Sequence, residues 1–194
     1  MSTLIVTAHA DTDSLTHRAA GALRDLVGPG RTRMAHLAQE GFDPRFTTED
    51  LAAYRGRGST DHGIRAQQRR VDGASDLVLV FPVYWWSMPA LLKGWIDRVF
   101  VAGWAFGLVD DRIAPRLTDL TAHLLPVSGT SAESFARHGY ADAFRTQVEV
   151  GILDFCGIRR GRTSFLHDAE STDAAAVAQG LETAVTAIAA AIGE

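Results

Sequence analysis

Asp76-Leu77-Val78-Leu79-Val80-Phe81-Pro82 decides the fold. Residues 77–81 are apolar without alternation, which is the pattern of a strand buried on both faces of a parallel sheet. The run stops at Pro82, whose missing amide hydrogen interrupts a ladder. Val83-Tyr84-Trp85-Trp86-Ser87-Met88 then leads to Pro89, a residue suited to a first helical turn because its amide would be unpaired there anyway. Beyond it Leu91, Leu92, Trp95, Ile96, Val99 and Phe100 recur at helical spacing. Strand, loop and helix in this order are half of a crossover unit, and the chain on either side repeats it.

Upstream, Leu4-Ile5-Val6 is a short buried strand. A helix capped by Ser14 follows, with Leu15, Ala19, Leu23 and Leu26 on one side and Gly28-Pro29-Gly30 as its stop. A second strand covers Thr32 to Leu37. Phe42-Asp43-Pro44 turns the chain into a polar excursion over residues 38–63, with a short helix at Thr48 to Tyr54 and a loop at Gly56-Arg57-Gly58-Ser59. Downstream, a strand at Leu120 to Val127 ends in Ser128-Gly129-Thr130. A helix at Asp142 to Cys156, a strand at Thr163 to Leu166 and a helix at Thr172 to Ile192 complete the reading. Alternating elements of this kind predict an α/β, three-layer α/β/α sandwich. Its sheet is five-stranded and parallel, in the flavodoxin-like order 2-1-3-4-5.

The chain has 194 residues, enough for one domain, and 46% hydrophobic against 22% charged residues supplies a core. Nineteen basic against 23 acidic residues give a net charge of −4, which argues against a nucleic-acid or anionic-membrane surface. Cys156 is the single cysteine, so no internal disulfide or thiolate zinc cluster forms, as suits a reducing cytosol. The first residues lack the basic start of a signal peptide, and the uncharged stretch Leu77 to Leu92 is broken by Pro82 and Pro89. The expectation is a soluble cytoplasmic protein without an integral membrane segment.

In such sheets ligands bind where the strands end at their carboxyl edge. The first loop, His9-Ala10-Asp11-Thr12-Asp13-Ser14-Leu15-Thr16, lacks both GxGxxG and GxxxxGK[ST], which disfavours a dinucleotide-binding or Walker loop. It offers free amides at a helix start, the Ser14 and Thr16 hydroxyls and His9, a set able to hold a phosphate. The same residues also serve as a plain helix cap. In the loop after the third strand, Tyr84, Trp85 and Trp86 either wall a flat heteroaromatic ring or simply pack.

The stretch from Phe81 to Phe100, FPVYWWSMPALLKGWIDRVF, resembles the signature of the flavin-dependent NAD(P)H:quinone oxidoreductases. The resemblance extends to His9 and Ser14, to Phe42-Asp43-Pro44, to Gly103-Trp104-Ala105-Phe106 and to Gly151-Ile152-Leu153-Asp154-Phe155-Cys156-Gly157. It implies a homodimer with a flavin at the carboxyl edge. By that resemblance His9, Ser14, Leu15 and Thr16 hold flavin phosphates, and Pro82, Val83, Tyr84, Trp85 and Trp86 lie along the isoalloxazine ring. Ser128, Gly129 and Thr130 reach its pyrimidine end, and Trp104 and Phe106 wall the nicotinamide and quinone pocket together with the partner subunit. Two positions depart from the pattern: a Gly-Gly pair reads Gly129-Thr130, and a tyrosine position reads Phe135, leaving Tyr140 or His138 to steady charge on the reduced flavin.

The resemblance implies ping-pong hydride transfer from NAD(P)H to a quinone, a nitroaromatic or an azo acceptor. FAD is the expected flavin, because the excursion over residues 38–63 could house its adenosine, with FMN the other form the family uses. Two further readings are a flavodoxin-like one-electron carrier and a redox ancillary subunit of a membrane transporter. The sequence has no GxSxG for a hydrolase, and its seven histidines show neither HxxxH nor HExxH spacing for a metal.

Overall fold

Thr3–Thr7 (β1) and Asp76–Pro82 (β3) are buried along their whole length, as unalternating apolar strands require. The computed structural model describes residues 2–55 and 57–193; Gly56 of the expected excursion loop lies outside the described residues. Thr32–His36 (β2), Thr121–Val127 (β6) and Arg159–Thr163 (β7) complete a parallel sheet of order β2-β1-β3-β6-β7, which is 2-1-3-4-5 counted along the sheet's own strands.

Successive strand residues point to opposite faces, and two cores result. On one face Leu4, Val6, Leu77, Leu79, Phe81 and Leu124 meet His62–Asp72 (α3) through Ile64 and Val71, and Ala90–Val99 (α4) through Leu92, Trp95, Ile96 and Val99. On the other, Ile5, Val78, Val80, Leu125 and Val127 meet Leu15–Val27 (α1) through Ala19, Ala20 and Leu23. Ala174–Ala191 (α7) adds Ala184, Val185 and Ile188 to this second core. By length and composition alone α7 could cross a membrane, which the sequence reading overlooked; here these three residues lie in the second core.

Thr48–Tyr54 (α2) falls where expected, started by a Thr47–Asp50 capping box. Four other expectations change. The helix α3 was missed, because few of its residues carry an apolar signal. A hairpin of Phe106–Val109 (β4) and Arg112–Pro115 (β5), turned by the left-handed Asp110 and Asp111, was also missed. The expected strand at Thr163 to Leu166 is displaced, since β7 occupies Arg159–Thr163 and only Leu166 continues by a bridge to Val127. After a short helix at Ala132–Arg137 (α5), the expected helix at Asp142 to Cys156 opens earlier, with Tyr140–Phe144 (α6), and then widens into a π-helix over Arg145–Asp154. The buried residues Phe144, Val148 and Leu153 show why: the last step is five residues, which the wider winding accommodates.

Sheet and edge strand meet at His123. Its ring is fully buried, with Nε2 3.3 Å from Asp76 Oδ1, and Nδ1 accepts from Arg162 N at 3.0 Å. Burial pushes its pKa down, and the Asp76 carboxylate only partly restores it. His36 is lowered too, by burial and by the neighbouring His17. The unfolded chain therefore binds more protons, so stability is complete above the free histidine pKa of about 6.5 and falls as pH drops below it. Melting temperatures recorded from about pH 8 to about pH 5 should decline through that window; a flat profile would contradict a neutral buried His123.

Candidate functional site

The ends of β1, β3 and β6 lie side by side at the carboxyl edge. In the first loop Ser14 caps α1 by accepting from His17 N, so the amides of Leu15 and Thr16 remain the free donors of the first turn. Asp11 N donates to His9 Nδ1 at 3.0 Å, which puts the neutral ring's hydrogen on Nε2. Asp11 turns a carboxylate oxygen onto Asp13 N at 2.9 Å, within the loop itself. Gln39 and His17, neither singled out from sequence, brace the loop: both approach the His9 carbonyl at 3.3 Å. A helix start with free amides and a histidine donor fits a phosphate.

After β3, Tyr84 and Ser87 exchange backbone bonds across a two-residue turn, with Trp85 and Trp86 both left-handed at φ 50° and 60°. Trp86 stacks on Tyr140 at 4.3 Å, and Tyr140 stacks on His138 at 5.2 Å. Ser87 Oγ is 3.4 Å from Gln147 Oε1 on the π-helix. Trp85 is 87% exposed, so its left-handed backbone is not compensated by burial. Trp85→Gly should therefore raise the melting temperature by about 2–4 °C through relief of roughly 1 kcal/mol of strain. It should also weaken binding of a flat ligand about tenfold, a loss near the top of the range for one aromatic contact. Thermal melts and titration together check this, and a variant that loses stability would sink it.

The loop after β6 comes to meet these aromatics. Val83, Trp85, Trp86, Ser128 and Thr130 line one cavity of about 190 Å³, which joins residues expected to act together. Thr130 N, however, is occupied by Ser128 Oγ at 3.0 Å, so Thr130 itself offers no free amide, whereas Gly129 N remains. Phe135, at the tyrosine position, is buried and meets Tyr140, Phe165 and His167 edge-on. His138 is exposed, with Nδ1 3.0 Å from Ser134 O, and reaches the site only through the Tyr140 ring.

Trp104 and Phe106 are not among the residues lining this cavity. Trp104 Nε1 donates to Asp72 Oδ1 at 2.9 Å, at the end of α3 that precedes β3, and Phe106 meets Phe155 edge-on at 5.0 Å. Burial pushes the Cys156 thiol up to about 11, which leaves it un-ionised and unreactive. Among the described residues no group of three or more His, Cys, Asp or Glu is placed to hold a metal.

A five-stranded parallel sheet, a helix start with free amides, and an aromatic cleft between the third- and fourth-strand loops define a flavodoxin-like protein built for a phosphate-bearing planar ligand. A family model described as "Flavodoxin-like fold" matches residues 1–190. Mouse ribosyldihydronicotinamide dehydrogenase [quinone] is 31% identical over 178 residues, covering 80% of this chain and 77% of the relative. An FMN-dependent NADH:quinone oxidoreductase of Legionella pneumophila is 34% identical over 110 residues, covering 50% of this chain and 53% of that one. A solved NAD(P)H:quinone oxidoreductase from Methanothermobacter marburgensis superposes with a TM-score of 0.87 over 96% of both chains, at 22% identity. The chain belongs to the flavodoxin-like family of NAD(P)H:quinone oxidoreductases.

Proposed function

We propose that this chain is a flavin-dependent oxidoreductase that passes hydride from NAD(P)H to a quinone or a related nitroaromatic or azo acceptor. The observation that carries the reading is the single cavity uniting Val83, Trp85 and Trp86 with Ser128 and Thr130, on the same sheet edge as the α1 amides. The bound flavin supplies hydride uptake and release. The residues of this chain hold and orient it. Leu15 and Thr16 amides and His9 Nε2 bind phosphate, Trp86 and Tyr140 give the ring an aromatic wall, and Gly129 N faces charge at its pyrimidine end.

FMN is the form this reading favours over the FAD expected from sequence. The excursion packs on α4, where Pro44 sits over Gly94 and Asp50 pairs with Arg98, rather than extending past the first loop. The FMN dependence of the Legionella relative points the same way. The chain acts as one domain and a homodimer, in which the partner subunit brings the Trp104–Phe106 segment to the cavity. Donor and acceptor occupy one pocket in turn.

Purified protein should show flavin absorption bands that bleach with NADH or NADPH, and varied NADH and menadione should give parallel double-reciprocal lines. A chain that stays colourless after incubation with FMN and FAD overturns the reading. Intersecting lines overturn the ping-pong order alone, and release of AMP by phosphodiesterase overturns FMN.

A further inference from the structure

The loop after β6 is clamped from one side. Ser128 N donates to Leu166 O at 2.8 Å, Ala169 N donates to Ser128 O at 2.9 Å, and His167 Nδ1 lies 3.0 Å from Thr130 O. A carbonyl only accepts, so His167 Nδ1 carries the hydrogen. Both loop carbonyls thus turn toward the segment that follows β7. A trans peptide points its N–H opposite its C=O, and the chain has no cis peptide among the described residues. Gly129 N–H and Ser131 N–H are therefore aimed the other way. In the order β3-β6-β7 that is the side of Val83, Trp85 and Trp86, where the cavity lies.

Ala169 makes its bond with backbone, and Ser128 Oγ lies 3.2 Å from Thr130 O from within the loop itself. Among the described residues His167 is the one side chain from outside the loop that reaches Thr130 O, and it is much nearer than the Asp168 amide, which lies 3.5 Å from the same oxygen. Its own ring cannot swing away: it stacks on Phe165 at 5.2 Å and 8°, and meets Phe135 edge-on at 5.0 Å. The aromatic pair locks the imidazole, the imidazole locks the carbonyl, and the carbonyl orients the amide on its far side.

We propose that His167 is a positioning residue, which through Thr130 O aims Ser131 N–H at the end of the flavin where negative charge gathers on reduction. The inference rests on the flavin reading above. Oriented amides that meet developing charge stabilise the reduced over the oxidised form, so the residue acts on the potential rather than on the fold.

Two substitutions separate the donor from the ring. His167→Phe keeps an aromatic between Phe135 and Phe165 but removes the donor, whereas His167→Asn removes the ring and keeps an amide nitrogen where Nδ1 stood. Apoprotein of each is loaded with FMN, or with FAD if only FAD is taken up, and the two-electron midpoint is measured beside the dissociation constant and the melting temperature. His167→Phe should hold reduced flavin about tenfold less tightly relative to oxidised, a midpoint lower by about 30 mV, with the melting temperature kept. His167→Asn should keep the wild-type potential despite a lower melting temperature. A wild-type potential in the Phe variant, or an equal shift in both, overturns the inference while leaving flavin binding intact. Wild-type apoprotein that takes up neither flavin overturns the flavin reading and this inference with it.

Discussion

Gly94→Ala is expected to lower the melting temperature by about 10 °C, the equivalent of roughly 3 kcal/mol for a chain of this size. Helix propensity alone predicts the opposite sign, since alanine is favoured over glycine by about 1 kcal/mol inside a helix. Packing decides the matter. A Cβ at Gly94 would fall 2.5 Å from Pro44 Cβ and 2.7 Å from Pro44 Cα, against backbone that has no flexible end to move. Two segments that looked like separate family marks, Phe42-Asp43-Pro44 and Leu92-Lys93-Gly94-Trp95, are thus one contact seen from both sides. Gly21→Ala supplies the control, because nothing lies within 4 Å of a Cβ there in the interior of α1. That variant should gain about 0.5–1 kcal/mol. Thermal unfolding of both checks the pair, and a Gly94 variant as stable as the wild type would show that the excursion does not rest on α4.

The sheet was legible because its central strands are buried on both faces. Leu77–Phe81 and Leu4–Val6 are too short for helices and rich in β-branched residues, so they read as strands, and their order followed from alternation with helices. The edge strand β7 was not legible. It reads Arg159-Arg160-Gly161-Arg162-Thr163, charged along its exposed edge, and its glycine is required because a Cβ would meet the His123 ring at 2.5 Å. That constraint comes from β6, 38 residues earlier, and leaves no local pattern. The hairpin escaped for a different reason: its turn is Asp110-Asp111, which takes left-handed angles without the glycine that normally announces them.

For the site, chemistry at the ends of strands was readable and orientation was not. Sequence alone places His9, Trp86 and Thr130 on one sheet edge, and they do lie there. That Thr130 N is spent on Ser128 Oγ is a matter of local turn geometry, and that His167 grips Thr130 O depends on a segment 37 residues further on and has no signature. Trp104 shows the same limit. An aromatic in a family motif invites a role in the pocket, yet its indole hydrogen needs an acceptor, and within this chain Asp72 provides it away from the cavity.

Arg98→Met should cost about 3 kcal/mol, the lower end for breaking a buried ion pair. Arg98 Nε donates to Asp50 Oδ2 at 2.9 Å, Nη1 to the Asp43 carbonyl at 2.7 Å and Nη2 to Asp50 Oδ1 at 3.2 Å, with side chains only 12% and 9% exposed. Asp50 also receives the Thr47 amide at 2.8 Å, so one carboxylate both starts α2 and straps the excursion to α4. Burial pushes its pKa up, but Arg98 and the Thr47 donors outweigh burial and hold it below the usual carboxylate value. The folded pKa lies under the unfolded one, so this contribution is present above the unfolded value of about 3.9 and is lost as pH falls through the folded value. Removing Arg98 leaves the charge buried and alone, whereas Asp50→Asn with Arg98→Met leaves no charge behind. The double variant should consequently lose about 1–3 kcal/mol less than the sum of the singles in urea unfolding. Additive losses would mean that the excursion is held by Pro44 against Gly94 and by apolar contact alone, with the ion pair a bystander.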